Sequence, residues 1–509
     1  MWPGSDSSHP GPVNITRVVG SGTASEFDSQ GFLANWPAYT TNGILSEQAW
    51  LNFRGFTEGD NPPSAGIYNL TVYVNGQAEA SVPINFLSSS TCVSISTRHL
   101  KFPMRGQDGA LPVPAINQIA LTSDLPSNEI PSLIFGSLTI HALAPIILVH
   151  GWNAGPWWWG DSPSTAQPCG IDKRFNTGKS TRDGGFGFID PLVSGHYPFD
   201  CSIQINDVAL SEQGGAELKK ALLFCENELS TDNNFICSDG RPALGKLKEF
   251  GTKHVHLVVH SKGGLWTRQM LHDLDSKRDE NGNQTFGVYS VTTLSTPHLG
   301  SSLADLLIAA HSVPLLQLMG PVSLDATFLA ALIQPKAGAD DMTVTKATDN
   351  DNSWGEPLKT FTVDGAENNA AYYAFGGNAD LNATGKIESS ANPGEEGYPP
   401  PKVASLLRTA VQNQRFEWLG TIRKGNIHRL KVAGRTVLSI ADFDATFSFQ
   451  LNDLAVTAVS ALGGHGFQHP LSNQVCNAVP CLPHNHSTMG SNIVALQVLP
   501  LIVSAQPVQ

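Results

Sequence analysis

One serine carries the most chemical information in this chain. In Leu257-Val258-Val259-His260-Ser261-Lys262-Gly263-Gly264-Leu265-Trp266 a run of strand-forming apolar residues ends at Ser261, and a helix-forming stretch begins at once. A sharp strand-to-helix turn exposes Ser261 Oγ at the carboxyl end of a sheet, where it can act as a nucleophile. Small residues two positions to either side let strand and helix approach closely. Gly263 supplies one of them, but the other position holds Val259, so the G-x-S-x-G pattern is half met. The competing reading is a serine that merely caps a helix after a strand.

Acyl transfer by a serine also needs donors aimed where a carbonyl oxygen becomes negative, and backbone amides in a tight turn provide them without reorganisation. Pro145 to Asn153 is a second apolar run, ending in His150-Gly151, and the amides of Trp152 and Lys262 are the candidate donors. Trp157, Trp158 and Trp159 follow directly. As substrate-binding residues they would set a large apolar surface beside the reacting carbonyl; as core residues they would be buried like most tryptophans. A triad further requires a histidine to take the serine proton and an acid to fix its tautomer. His484 and His486 precede an apolar, helix-like segment near the C-terminus, Asp453 lies in Asn452-Asp453-Leu454, and Asp364 is a reserve acid. His465 and His469 are four apart and admit a zinc reading, but Gly463, Gly464, Gly466 and Pro470 break the helix that would put both rings on one face.

The elements that must position these residues follow from composition and periodicity. A chain of 509 residues exceeds the size at which one core usually divides, which implies two domains. Its 41% hydrophobic content suffices for a sizeable core, and 15% charged residues speak against a disordered tail protein. From Val13 to about Pro131 short alternating runs are separated by turns, as in Tyr68 to Val74 followed by Asn75-Gly76, a hairpin signal. Residues 1–132 therefore read as an antiparallel β-sandwich-like domain. Beyond them, Ile146 to His150, Ser211 to Leu229, His254 to His260, Leu265 to Leu274 and Gly287 to Leu294 alternate strand and helix, the pattern of a parallel sheet covered on both faces. The Asp-rich stretch Ala337 to Trp354 reads as a solvated surface loop.

Partners and compartment are bounded by charge and cysteine usage. With 31 basic and 44 acidic side chains the net charge is −13, which gives no footprint for nucleic acid. Ile493 to Ala505 is too short and too interrupted to cross a bilayer, so no transmembrane anchor is expected. Met1 to Ser5 opens without the basic and apolar regions of a signal peptide. Seven cysteines, several in loops, favour an oxidising, extracellular setting, with Cys476–Cys481 and Cys225–Cys237 as local pairs and Cys92 as the odd thiol. Seven small buried hydrophobes is the alternative.

Val291 to Asp305, with Ser295-Thr296-Pro297-His298-Leu299-Gly300, is similar to the strand and loop after the nucleophile helix of bacterial lipases. Asn369 to Asn378 is similar to a later lipase strand, and Asn452 to Val456 to the acid loop. With the turn at Ser261 and the His-Gly pair, residues from about 140 to 500 resemble the α/β-hydrolase superfamily, triacylglycerol lipase and esterase type. The resemblance implies a mainly parallel sheet flanked by helices over residues 133–509, with cap or insertion segments near 302–345 and 381–450. It implies the chain order serine, acid, histidine, hence Ser261, Asp453 and His486, with no metal or organic cofactor. His298 matches the family's loop without a triad role.

The resulting expectation is a secreted serine carboxylic ester hydrolase that cleaves hydrophobic acyl esters of lipid or polyester, with interfacial contact as a further expectation. One alternative is a polyester depolymerase whose N-terminal domain holds the polymer. Another is a catalytically silent binding protein on the same scaffold, motivated by Val259 and the extra domain.

Overall fold

The computed structural model describes residues 11–55, 67–85, 91–106, 110–123, 133–152, 154–159, 187–223, 245–275, 278–301, 304, 338–377, 429–432, 435–439, 456, 458–470, 475–476, 479–480, 488–490 and 492–506. Strands β1 (Gly11–Ile15), β2 (Leu45–Gly55), β3 (Ile67–Val74), β4 (Gln77–Asn85), β5 (Thr91–Ser96), β6 (Ala115–Ser123) and β7 (Leu133–Ala142), with the short helix α1 (Trp36–Thr41), form the N-terminal part. They build two antiparallel sheets, β1-β6-β3-β4 and β5-β2-β7. Asn75 and Gly76 both have positive φ, +48° and +84°, and join β3 to β4 by the two-residue turn that suits strand twist. Val72, Val74 and Ile119 of one sheet and Ala49, Leu51, Val93 and Ile95 of the other share one core.

The second part is built on β8 (Ile146–Val149), α2 (Ile189–Ser194), β9 (Phe199–Asp200), α3 (Ser211–Leu223), α4 (Lys246–Glu249), β10 (His254–His260), α5 (Gly263–Asp275) and β11 (Gly287–Leu294). It continues through α6 (Val344–Trp354), β12 (Thr360–Val363), β13 (Ala366–Asn369), β14 (Ala371–Phe375), β15 (Arg429–Val432), β16 (Arg435–Ser439), α7 (Ala458–Leu462) and α8 (Asn492–Ala505). Five strands pair in the order β14-β11-β10-β8-β9, every pairing parallel. Alternation sends successive side chains to opposite faces. Ile147, Val149, Leu257 and Val259 pack with Leu218, Leu222, Trp266 and Met270 of α3 and α5. Ile146, Leu148 and Val258 pack on the other face with Leu192 of α2 and with Val494, Val498 and Ile502 of α8. Burial on both faces explains why these strands read as unbroken apolar runs.

That second face is also the core of the N-terminal sheets, since Tyr39, Ile44, Leu45 and Leu51 belong to the same buried cluster. Hydrogen bonds cross the junction: Val18 N–H to Phe250 O (3.2 Å), Arg17 to Thr252 Oγ1 (2.7 Å), and Asn42 Nδ2 to Gly195 O (3.0 Å). Arg105 reaches over from the N-terminal part to pair with Asp200 of β9 and Glu249 of α4, and its guanidinium lies 4.0 Å from the Phe250 ring centroid. All three charged side chains are nearly fully buried.

The Asp-rich stretch corrects one expectation. Ala337 to Trp354 is not a solvated loop: from residue 338 onward it is described as a 3-10 turn, Asp340–Met342, followed by α6. Thr343 caps the helix, its side chain accepting from Lys346 N–H (3.3 Å). Asp351, on the inner face of α6, pairs with Arg268 of α5 and with His465 (2.5 Å), so a carboxylate that reads as solvated is a packing residue. Residues 302–303 and 305–337 and most of 381–450, the expected cap segments, lie outside the described residues. No helix among the described residues is long and apolar enough to cross a membrane.

Removing Arg105 would leave two carboxylates buried without their main cation. Arg105→Met is expected to lower the unfolding free energy by about 3–5 kcal/mol in urea titrations. Burial pushes the Asp200 carboxyl up, but the charges of Arg105 and Lys246 and hydrogen bonds from Arg105 and Ser202 outweigh it and hold the group below its ordinary range. The stability from this carboxylate is therefore present above the unfolded carboxyl pKa and is lost as pH falls through the lower folded value. Arg105→Met should flatten that acid limb.

Candidate active site

Ser261 sits where β10 hands over to α5, with φ = +52° and 7% of its surface exposed. A left-handed non-glycine residue costs roughly 1–2 kcal/mol and persists only where its surroundings over-determine it. Those surroundings are backbone. Ser261 N–H donates to Leu294 O at the end of β11 (2.9 Å), and Ser261 O accepts from Gly264 N–H (3.1 Å). The neighbouring strand repeats the handover: Ser295, φ = +50°, donates to Phe375 O at the end of β14 (2.8 Å).

Glycines let the segments touch. A Cβ on Gly151 would stand 2.7 Å from Ser261 Cβ and 3.0 Å from His260 O, and one on Gly263 would run into the His150 carbonyl oxygen. Val259, which departs from the small-residue pattern, is fully buried between Val149 and Thr293 in the sheet. The close approach of α5 is carried instead by Gly263 and Gly264, the latter against Thr296, and by Gly214 of α3 under the Trp266 indole.

The loop after β8 therefore lies directly on the serine turn. Trp152 is half-buried and packs beside Leu265, Ala304, Ala339 and Met342. The Lys262 amide belongs to the first turn of α5, whose leading N–H groups have no intrahelical acceptors and carry the positive end of the helix dipole. Two ionisable groups at the turn face away from it. His150 is buried, its Nδ1–H donating to Gly151 O (2.9 Å) while Nε2 accepts from Ile205 N–H (3.1 Å). Burial lowers its pKa, so it is neutral with both nitrogens committed. Lys262 runs its side chain to Gly338 O, and burial pushes its pKa down to about 8, with Asp341 and Asp340 opposing.

Of the residues expected from the sequence, the fold brings Ser261, Lys262 and the Gly151-Trp152 loop together. Trp158 (5% exposed) and Trp159 (fully buried) point into the core, Trp158 lying flat on the His260 ring with centroids 3.7 Å apart and planes 13° apart. For Trp157 only the backbone is described. Asp453, His484 and His486 lie outside the described residues. Asp364, the reserve acid, is at the other end of the sheet: it pairs with Lys253 just before β10 (2.6 Å), and Lys253 stands eight residues, about 26 Å at 3.3 Å per strand residue, from Ser261. His298 is buried, its ring nitrogen Nε2 3.1 Å from Thr293 Oγ1, and burial holds its pKa well below the usual value. His465 is taken by Asp351. The spacing of the motifs gave no sign of the Trp158–His260 stack or of the left-handed Ser295, because both arise from contacts between distant segments.

No family model matches this chain, and no curated protein matches it. Among solved structures, it is similar to a Bacillus licheniformis lipase in mature form at 17% identity and a TM-score of 0.33, covering 71% of this chain and 92% of that one. Lipase 1 from Pelosinus fermentans compares at 14% identity and 0.37, covering 72% and 99%. A phospholipase from Legionella pneumophila compares at 13% and 0.27, covering 50% and 42%. With scores this low, the chemistry is read from the site itself.

The backbone strain at Ser261 separates two substitutions. Ser261→Gly relieves the left-handed conformation and Ser261→Ala does not, so the glycine variant should be the more stable by about 1 kcal/mol in urea. Lys262 offers a second test. Between about pH 8 and its ordinary value of 10.5 the unfolded chain binds more protons at this group, so the parent gains stability as pH rises across that window. Unfolding titrations at both ends should show the stability difference between the parent and Lys262→Met move by about 3 kcal/mol in the parent's favour.

Proposed function

We propose that this chain is a serine carboxylic ester hydrolase acting on hydrophobic acyl esters. The observation that carries the reading is Ser261 held left-handed at the carboxyl end of β10 by Leu294 O, with the Gly151 backbone pressed against it. At a nucleophile such strain presents Oγ above the sheet.

In this mechanism Ser261 Oγ attacks the ester carbonyl and passes its proton to His486. The oxyanion is held by the amides of Trp152 and Lys262. His486 returns the proton to the leaving alkoxide, and the acyl-enzyme is cleaved by water that His486 deprotonates in turn. Asp453 fixes the His486 tautomer. The choice of acid and base draws support from the chain that follows each. Beyond Asp453, Ser460 of α7 donates to Gly300 O (2.6 Å) and accepts from Leu299 N–H (3.1 Å), in the loop after β11. Beyond His486, Gly490 lies against Trp158, which covers His260.

Two further parts of the reading have observations behind them. Cys201 is disulfide-bonded, which supports the secreted reading. The N-terminal sheets share their core with the catalytic sheet, which favours a packing role for them over capture of a polyester chain.

A fluorophosphonate should label the parent once, on the peptide containing Ser261, and Ser261→Ala should be unlabelled. The parent should turn over p-nitrophenyl esters at least about 1,000-fold faster than that variant. A labelled Ser261→Ala protein, or no turnover above it, discards the assignment and leaves the silent scaffold.

A further inference from the structure

Three layers lie side by side at the serine turn. The His260 ring has Gly151 near one nitrogen, a Cβ there falling 3.3 Å from Nδ1, and the Trp158 indole stacked on its face at 3.7 Å. The six-membered ring of that indole meets Gly490, where an added Cβ would stand 2.9 Å from both Cη2 and Cζ3 and 3.4 Å from Cε3, over the face of the ring. Trp158 is itself pinned. Trp159 meets it edge-on at 4.8 Å and packs on Phe188 at 5.1 Å, just before α2. The turn Thr488–Gly490 is held from a second side, as Gly187 N–H donates to Gly490 O (3.2 Å), and Met489 is fully buried.

We infer that Trp158 is a positioning residue, a rigid spacer whose indole sets the separation between the serine turn and the C-terminal turn Thr488–Gly490. The inference rests on the hydrolase reading, which draws the proton acceptor from the chain just before that turn. At 5% exposure the ring offers almost no surface to a substrate, with one face stacked on His260 and its six-membered ring covered by Gly490. An indole has two side-chain torsions and no polar atom in the six-membered ring that Gly490 covers, so it transmits a fixed distance. Glycine at 490 is required because a methyl group there would displace the ring or the turn by several tenths of an ångström. Misplacement of catalytic groups by about 1 Å costs on the order of 100-fold in rate.

The spacer predicts a compensation that burial alone does not. Gly490→Ala should lower kcat on a soluble p-nitrophenyl ester by roughly 10- to 100-fold with KM within about threefold of the parent. Trp158→Phe removes the outer ring that the methyl group would strike. The double variant Trp158→Phe/Gly490→Ala should therefore recover at least about tenfold of the lost kcat, and Trp158→Ala should fall further than Trp158→Phe. Thermal unfolding of each variant keeps loss of fold separate from loss of rate. Multiplicative losses in the double variant, or a rise in KM at unchanged kcat, overturn the spacer role, the latter in favour of a substrate wall. Absence of turnover and of Ser261 labelling in the parent overturns the hydrolase reading itself; full activity in all four variants overturns only the spacer.

Discussion

Backbone-to-backbone contact at the end of β10 is the constraint from which the rest of this structure follows. The peptide at Ser261 must bond to Leu294 O, clear the Gly151 backbone and let Gly263 pass the His150 carbonyl, all within one turn. None of these contacts tolerates much displacement, because each is between main-chain atoms with no rotamer to adjust. A left-handed serine is expensive locally, and the parallel ladders of β8, β10, β11 and β14 supply the rigidity that offsets it. The apolar filling of both faces, by α3 and α5 on one side and α2 and α8 on the other, keeps those strand ends in register.

The N-terminal sheets belong to that same support. They do not hang from a linker: their core runs into the α2 and α8 face of the parallel sheet, and Arg105 inserts between β9 and α4. Burying three charges is costly unless each is paired and hydrogen-bonded, and here the guanidinium spans two carboxylates with Lys246 alongside. Such a junction suits a fixed orientation between the two parts.

Local signals made much of this legible in the sequence. The runs at Ile146, His254 and Gly287 are strands because two buried faces demand uninterrupted apolar residues, and Asn75-Gly76 is a hairpin turn because both residues accept positive φ. Ser261 stood out because a strand, a serine and a helix follow one another without spacer. What the sequence hid depends on distant partners. Asp351 reads as solvated until Arg268 and His465 are brought to it, so α6 reads as loop from its residues alone. Asp364 carries the right chemistry but lies at the amino end of the sheet beside Lys253. Val259 breaks a motif whose purpose, close packing of the helix, is met by Gly263 and Gly264 instead. Tryptophans 158 and 159 read equally as substrate surface or as core, and their burial comes from Phe188, Gly490 and His260, none of them near in sequence.

The electrostatics of the turn constrain any proton transfer at Ser261. His150 has both nitrogens engaged and is held neutral by burial, Lys262 leads its charge away to Gly338, and His298 is buried beneath the sheet rim on Thr293. His260 lies flat beneath Trp158. Among the described residues, His150, His260, Lys262 and His298 are thus engaged in hydrogen bonds or ring stacking around the turn, and under a serine mechanism the proton acceptor comes from another stretch of chain. Under the hydrolase reading that chain is the segment before α8, which ends where Gly490 meets Trp158. Under that reading the base is oriented independently of the nucleophile, and the packing between the serine turn and Gly490 is the Trp158 indole stacked on the His260 ring.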